Sequence, residues 1–208
     1  MLNRLQGEYD AVFSLGGHCL PSIQLDKNGL RPYSGPIDWM ISGSLSDVNR
    51  LLAARFAGFM EYSNMVISGH DYGAYNYLLE DVAYHITAAH HFPVSVNSPG
   101  NLVSYPDFKA TLDRRIQRFL DKMDNALKVL LIRVGGLREQ VVELEAVLST
   151  IVKHDFRVLF VEYTGMGGVG ELNWGLGRVI SVELPPEDIW NGQDELWRYM
   201  LEGVRLSN

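Results

Sequence analysis

Apolar residues fall along this chain in short blocks whose spacing switches between strand and helix periods. Ala11 to Leu15 (Ala-Val-Phe-Ser-Leu) is a β-type run that stops at Gly16-Gly17. Leu20, Ile23 and Leu25 then sit near helical spacing up to Asn28-Gly29. Pro21 lies in the first turn, where a missing N–H costs no hydrogen bond. The pattern predicts strand, tight turn and helix, with Cys19 at or beside the helix N-cap. Ser46 to Phe56 reads as a second helix with Asp47 near its start. Phe108, Leu112, Ile116, Phe119, Leu120 and Met123 share one face of a longer helix whose other face carries Arg114, Arg115 and Arg118.

Lys128 to Val134 is a continuous apolar strand, Leu137 to Lys153 an amphipathic helix and Arg157 to Tyr163 another strand. That order is a βαβ unit and requires parallel strands. Arg178 to Glu183 adds a strand, and Asp194 to Val204 a closing helix with Trp197, Met200 and Leu201. Arg31 to Ser44 and Pro93 to Pro106 are rich in Pro, Gly, Ser and Asn and read as loops. Phe59 to Phe92 has little periodicity beyond a strand at Ala83 to Ala88. The expected fold is α/β: a mixed, mostly parallel sheet with helices on both faces, in one domain spanning 1–208.

The formal charge is −7, and the basic residues are scattered, which argues against a nucleic-acid partner. The opening residues lack the apolar core of a signal peptide, and no run reaches the roughly 18 apolar residues of a membrane span. A cytoplasmic protein with no membrane partner is the expectation. A single cysteine excludes an internal disulfide, and the histidines lack the paired spacing of a zinc site, so no metal or cofactor is expected. Gly165-Met166-Gly167-Gly168-Val169-Gly170 matches a dinucleotide-binding pattern, but Asn173, Gly175 and Gly177 interrupt the helix that should follow. It reads as a loop at the edge of a site.

Cys19 is the residue whose setting most suggests chemistry. A thiol at a helix N-terminus faces unpaired N–H groups and the positive end of the helix dipole, which favour thiolate. The N–H groups between Gly17 and Leu20 are candidates for holding an oxyanion. A proton partner is offered by His90 or His91, and either imidazole can serve as general base and then acid. Asp38 is a candidate to orient that imidazole, its alternative role being to tie the backbone of its own turn. Gly16, Gly17, His18, Trp39 and Arg133 are candidates for substrate contact, with His18 equally a turn residue and Trp39 a pocket wall. His70, His85 and His154 lack any supporting pattern and read as surface or hydrogen-bonded histidines.

Several runs resemble one known family: Ser14-Leu15-Gly16-Gly17-His18-Cys19, Gln24-Leu25, Gly29-Leu30-Arg31, and Ser34-Gly35-Pro36-Ile37-Asp38-Trp39. To these add His90-His91-Phe92, Arg114 to Phe119, and Leu130-Leu131-Ile132-Arg133. Together they resemble the bacterial papain-like cysteine peptidases. That resemblance implies a Cys–His site on Cys19, gives the base role to His90, and offers a papain-like α+β fold as the alternative architecture. The chain departs from the family pattern at His18, where an asparagine is usual, and at His91, where an acidic residue is usual.

Three functions follow as expectations. The first is a cysteine-dependent hydrolase or acyl-transfer enzyme acting on a peptide or another amide or ester. The second is a noncatalytic ligand-binding or accessory domain, for instance for a polysaccharide, on the same fold. The third is another α/β hydrolytic or transferase site in which Cys19 only packs the first turn.

Overall fold

Strands covered on both faces read as continuous apolar runs, and the central sheet of this protein is built from those runs. The computed structural model describes residues 2–165 and 167–207. The elements run β1 (Gly7–Tyr9), β2 (Ala11–Ser14), α1 (Leu20–Lys27), β3 (Met40–Ile41), α2 (Leu45–Ala53), β4 (Met65–His70), β5 (Tyr77–Asp81) and β6 (Ile86–Ala88). They continue with α3 (Tyr105–Asn125), β7 (Lys128–Val134), α4 (Arg138–Ile151), β8 (Asp155–Glu162), β9 (Gly170–Leu172), β10 (Val179–Glu183), α5 (Asp194–Leu201) and β11 (Val204–Leu206).

The central sheet has the order β2-β7-β8-β10-β9. β2, β7, β8 and β10 are mutually parallel, and β9 closes one edge antiparallel to β10. Side chains alternate across a strand, so each strand supplies two cores. Phe13, Leu131, Val158 and Phe160 face α2, α3 and α4, meeting Leu51, Phe119 and Leu144. Val12, Leu130, Ile132, Leu159 and Ile180 face α1 and α5, meeting Leu20, Leu25, Trp197 and Met200. This is the expected mixed α/β arrangement with helices on both faces and a β7–α4–β8 unit. The α+β alternative is not observed, since that class segregates helices from an antiparallel sheet.

A second, four-stranded antiparallel sheet of order β3-β6-β5-β4 lies between α1 and α3 in sequence. Most of it escapes prediction because β4 is glycine-bearing and polar and is nowhere fully buried. The strand expected from Ala83 begins only at Ile86. The Asp81 carboxylate accepts from the N–H groups of Ala83 and Tyr84, at 2.8 and 3.2 Å, and His85 has φ +50°, so the chain turns first. Ser44 caps α2, its hydroxyl accepting from the N–H of Asp47 in the first turn at 3.2 Å. Within the Gly165–Gly170 motif Met166 lies outside the described residues. Gly170 opens the antiparallel strand β9, so no helix follows the motif as a dinucleotide site would need.

Candidate functional site

The site is assembled at the carboxyl end of the parallel strands, where open α/β sheets bind ligands. β2 ends in Gly16 and Gly17, with φ +73° and +102°. A Cβ on Gly17 would stand 2.2 Å from the Val134 carbonyl oxygen. Only glycine lets the turn pass the end of β7 this closely. The Gly17 N–H donates to Ser42 Oγ at 2.9 Å, and the Ser42 N–H donates to the Gly17 carbonyl at 3.1 Å. Arg133 locks the same junction: it donates to the Leu15 carbonyl (3.0 Å), Ser42 Oγ (3.0 Å), the Ser42 carbonyl (2.7 Å) and the Gly135 carbonyl (2.9 Å).

This corrects the expected roles of three residues. Arg133 is fully buried, and burial pushes its guanidinium down to about 10. It braces the turn and has no face toward a substrate. Gly16 and Gly17 shape the backbone and lie outside the lining of the cavity described next. The Gly17 N–H, expected near an oxyanion, is held by Ser42, and the Leu20 N–H is held by His18 Nδ1 at 3.3 Å. Ser42 had no signal in the sequence beyond its place in a Ser-Gly-Ser stretch.

Cys19 is the N-cap of α1, and its sulfur lies 3.8 Å from His90 Nε2. Both line a cavity of about 420 Å3 whose other walls include His18, Ile41, Asp71, Leu78, Ala89 and Trp190. Contrary to the expectation of an easily ionised thiol, the Cys19 thiol is raised above its ordinary value. Burial is the largest cause and the negative charge of Asp38 adds to it, while the backbone N–H of Cys19 itself opposes both. The N-cap position therefore does not produce a resting thiolate; the helix is only eight residues long and the sulfur is partly desolvated.

His18 does belong to the cavity wall. Its ring sits 5.1 Å from Trp190, and burial lowers its affinity for a proton, with Arg133 contributing. A neutral ring is what the cap on Leu20 requires, because Nδ1 must accept.

His90 follows β6 and is carried to Cys19 by the antiparallel sheet. Trp39 meets its ring edge to face at 6.3 Å, and the Arg31 guanidinium lies 5.4 Å over the Trp39 ring. Arg31 is itself held: its Nε donates to Asp38 Oδ2 at 2.8 Å, and the Gly35 N–H donates to the same oxygen at 2.9 Å. Asp38 thus ties its own turn and anchors Arg31, and among the described residues it makes no bond to an imidazole. Trp39 stands behind His90 and outside the lining of the cavity. The carboxylate that shares the cavity with His90 is Asp71, on the loop after β4. The side chain and backbone N–H groups of Asn76 hold it below the ordinary carboxylate range, and the charge of His90 adds to that. Asp71 sits in the segment with the weakest periodicity, so sequence offered no way to choose it.

His91, the other histidine candidate, points to the opposite side. Its ring packs 5.0 Å from Phe108, and it lines a different cavity with Met40 and Arg115. Burial pushes it down to about 4 from 6.5, with the positive charges of Arg115 and His90 adding. Between those values the unfolded chain takes a proton on this ring and the folded chain does not. Stability is therefore complete above the unfolded value and falls as pH drops toward 4, by up to about 3 kcal/mol. Denaturant midpoints measured from neutral pH down to 5 are expected to show this slope. His91→Gln is expected to remove most of it and leave the smaller part due to His18; an unchanged slope in that variant would contradict the assignment.

A thiol and an imidazole in contact, at the end of a parallel sheet and open to a cavity, define a mixed α/β protein with a Cys–His site. A family model described as putative papain-like cysteine peptidase (DUF1796) matches residues 10–165, and the chain belongs to that family. The matched span contains Cys19 and His90 and runs from β2 to just beyond β8. Searches of curated proteins and of solved structures return no match. Among the described residues no helix is long and apolar enough to cross a membrane.

Proposed function

We propose that this protein is a cysteine-dependent hydrolase or acyl-transfer enzyme whose substrate is a peptide or another amide or ester. The observation that carries this reading is the 3.8 Å approach of Cys19 Sγ and His90 Nε2 inside a cavity. Because the thiol is raised, the reaction starts from the protonated sulfur of Cys19. As the S–C bond forms, the thiol proton passes to Nε2 and the carbonyl electron pair moves onto oxygen. Collapse of that adduct expels the amine or alcohol, which takes the proton from His90. Water, deprotonated by the same imidazole, then cleaves the thioester and restores the thiol. Asp71 shares the cavity with His90, while Trp39, set by Arg31 and Asp38, packs against the His90 ring. The walls formed by Ile41, Leu78, Ala89 and Trp190 suit an apolar or aromatic group beside the scissile carbonyl.

A second reading, a noncatalytic ligand-binding domain, is favoured by the upward shift of the thiol and by aromatic rings such as Trp190 in the wall. Hydrolysis of an activated ester and of acylated peptide amides by the protein and its Cys19→Ser variant separates the two. Turnover in the first and its loss in the folded variant is the expected result. Equal rates in both would overturn the enzyme reading and leave the cavity as a binding site.

A further inference from the structure

The cavity behind the reaction site has a chemistry of its own. Its volume is about 290 Å3, and it is lined by Met40, His91, Ser104, Thr111 and Arg115, with Asp107 among the lining residues. The Arg115 guanidinium, partly buried, forms no hydrogen bond or ion pair among the described residues. His91 Nε2 is buried and has no hydrogen-bond partner among the described residues. An unpaired guanidinium and an unsatisfied imidazole nitrogen on two residues that line one cavity are costly unless something completes them. We propose that this cavity binds a small oxyanion, a carboxylate or phosphate group, held between Arg115 and His91.

The surrounding charges agree. Burial is the largest influence disfavouring the charge of Arg115; Asp38 favours that charge, and Arg31, Arg118 and Arg114 lie close enough to oppose it. Asp107 is exposed. Positive charge therefore dominates locally on a chain whose formal charge is −7. A planar guanidinium accepts carboxylate or phosphate through two parallel N–H donors. The hydroxyl of Thr111, which accepts from Arg114 at 3.0 Å, keeps its own proton to donate. Burial is the main cause that keeps His91 neutral, and an anion placed here would offset the positive charge of Arg115 that adds to it.

The site is separate from the reaction cavity but shares its wall. Met40 lines one cavity and Ile41 the other, and His91 and His90 divide in the same way. Successive residues of a strand point to opposite faces, so Met40 and Ile41 of β3 form part of the partition. Binding here requires no step at Cys19.

The test is NMR of the imidazole resonances in the full chain during titration with inorganic phosphate or acetate, with ionic strength held constant by chloride. A saturable shift of the His91 signals is expected, together with a rise of the His91 pKa by about one unit, as an adjacent opposite charge produces. The anion that saturates at the lower concentration identifies the group. Arg115→Gln is expected to abolish saturation, and Arg198→Gln, on α5 beyond the central sheet, to retain it. A response no different from chloride alone, or an equal response in Arg115→Gln, would overturn the proposal. The first comparison needs only the unaltered protein, so it decides even where the Arg115 variant fails to fold.

Discussion

Replacing His90 by Ala is expected to slow acylation of Cys19 by an activated ester by about 10²- to 10⁴-fold, the range that a positioned general base supplies. The effect should be large because the thiol is raised by burial and by Asp38, leaving little thiolate at neutral pH without a proton acceptor beside it. His90 is exposed, so its truncation removes little packing, and the variant should fold. His91→Gln serves as the control: that ring faces the other cavity and should leave acylation within a few-fold of the parent, a rough bound for a residue without a chemical role. The rates are read from release of the leaving group under single-turnover conditions. A His90→Ala rate equal to that of the parent would remove the imidazole from the mechanism.

Gly17→Ala is expected to be the most damaging small substitution in the chain. The new methyl group would meet the Val134 carbonyl oxygen at 2.2 Å, at a residue whose φ is +102°. Left-handed strain and overpacking each cost about 1 to 3 kcal/mol, and neither β2 nor β7 can retreat, since Arg133 and Ser42 bind the two strand ends together. A combined loss of about 3 to 5 kcal/mol should lower Tm by roughly 10 °C or more. Gly43→Ala, where a Cβ meets nothing within 4 Å, is the comparison. Thermal unfolding of the two variants checks the claim, which an unchanged Tm for Gly17→Ala would contradict.

The central sheet was legible because burial on both faces leaves no alternative to continuous apolar runs. Lys128 to Val134 and Arg157 to Tyr163 declare themselves for that reason, and the helix between them follows from its period. The antiparallel sheet was not legible, since β4 and β5 carry Ser68, Gly69, His70, Glu80 and Asp81 and depend on cross-strand pairing for their conformation. Asp81 shows the difficulty most plainly. Its buried carboxylate holds the turn before β6 and also accepts from the Met60 N–H, contacts that join residues 21 apart in sequence.

Within the site, Cys19 was visible from its place after a glycine turn and before Pro21. The choice between His90 and His91 was not, because the two adjacent residues lie in a bend beyond β6, where strand alternation does not assign their faces. Asp38 reads in the sequence as a carboxylate able to orient an imidazole, and Arg133 as a candidate for substrate contact. The structure uses both as internal braces, Arg133 for the Gly16-Gly17 turn and Asp38 for the Arg31–Trp39 stack behind His90. Asp71 and Ser42 carried no local pattern at all, as their importance arises from contacts across loops.

Peptide mapping by mass spectrometry after one equivalent of an activated acyl ester tests the Cys19–His90 pairing most directly. A single acyl group on Cys19, formed faster than on a free thiol of the same pKa and lost again on standing in water, is the predicted result. Acylation no faster than that free thiol, or modification spread over lysines with Cys19 untouched, would contradict it.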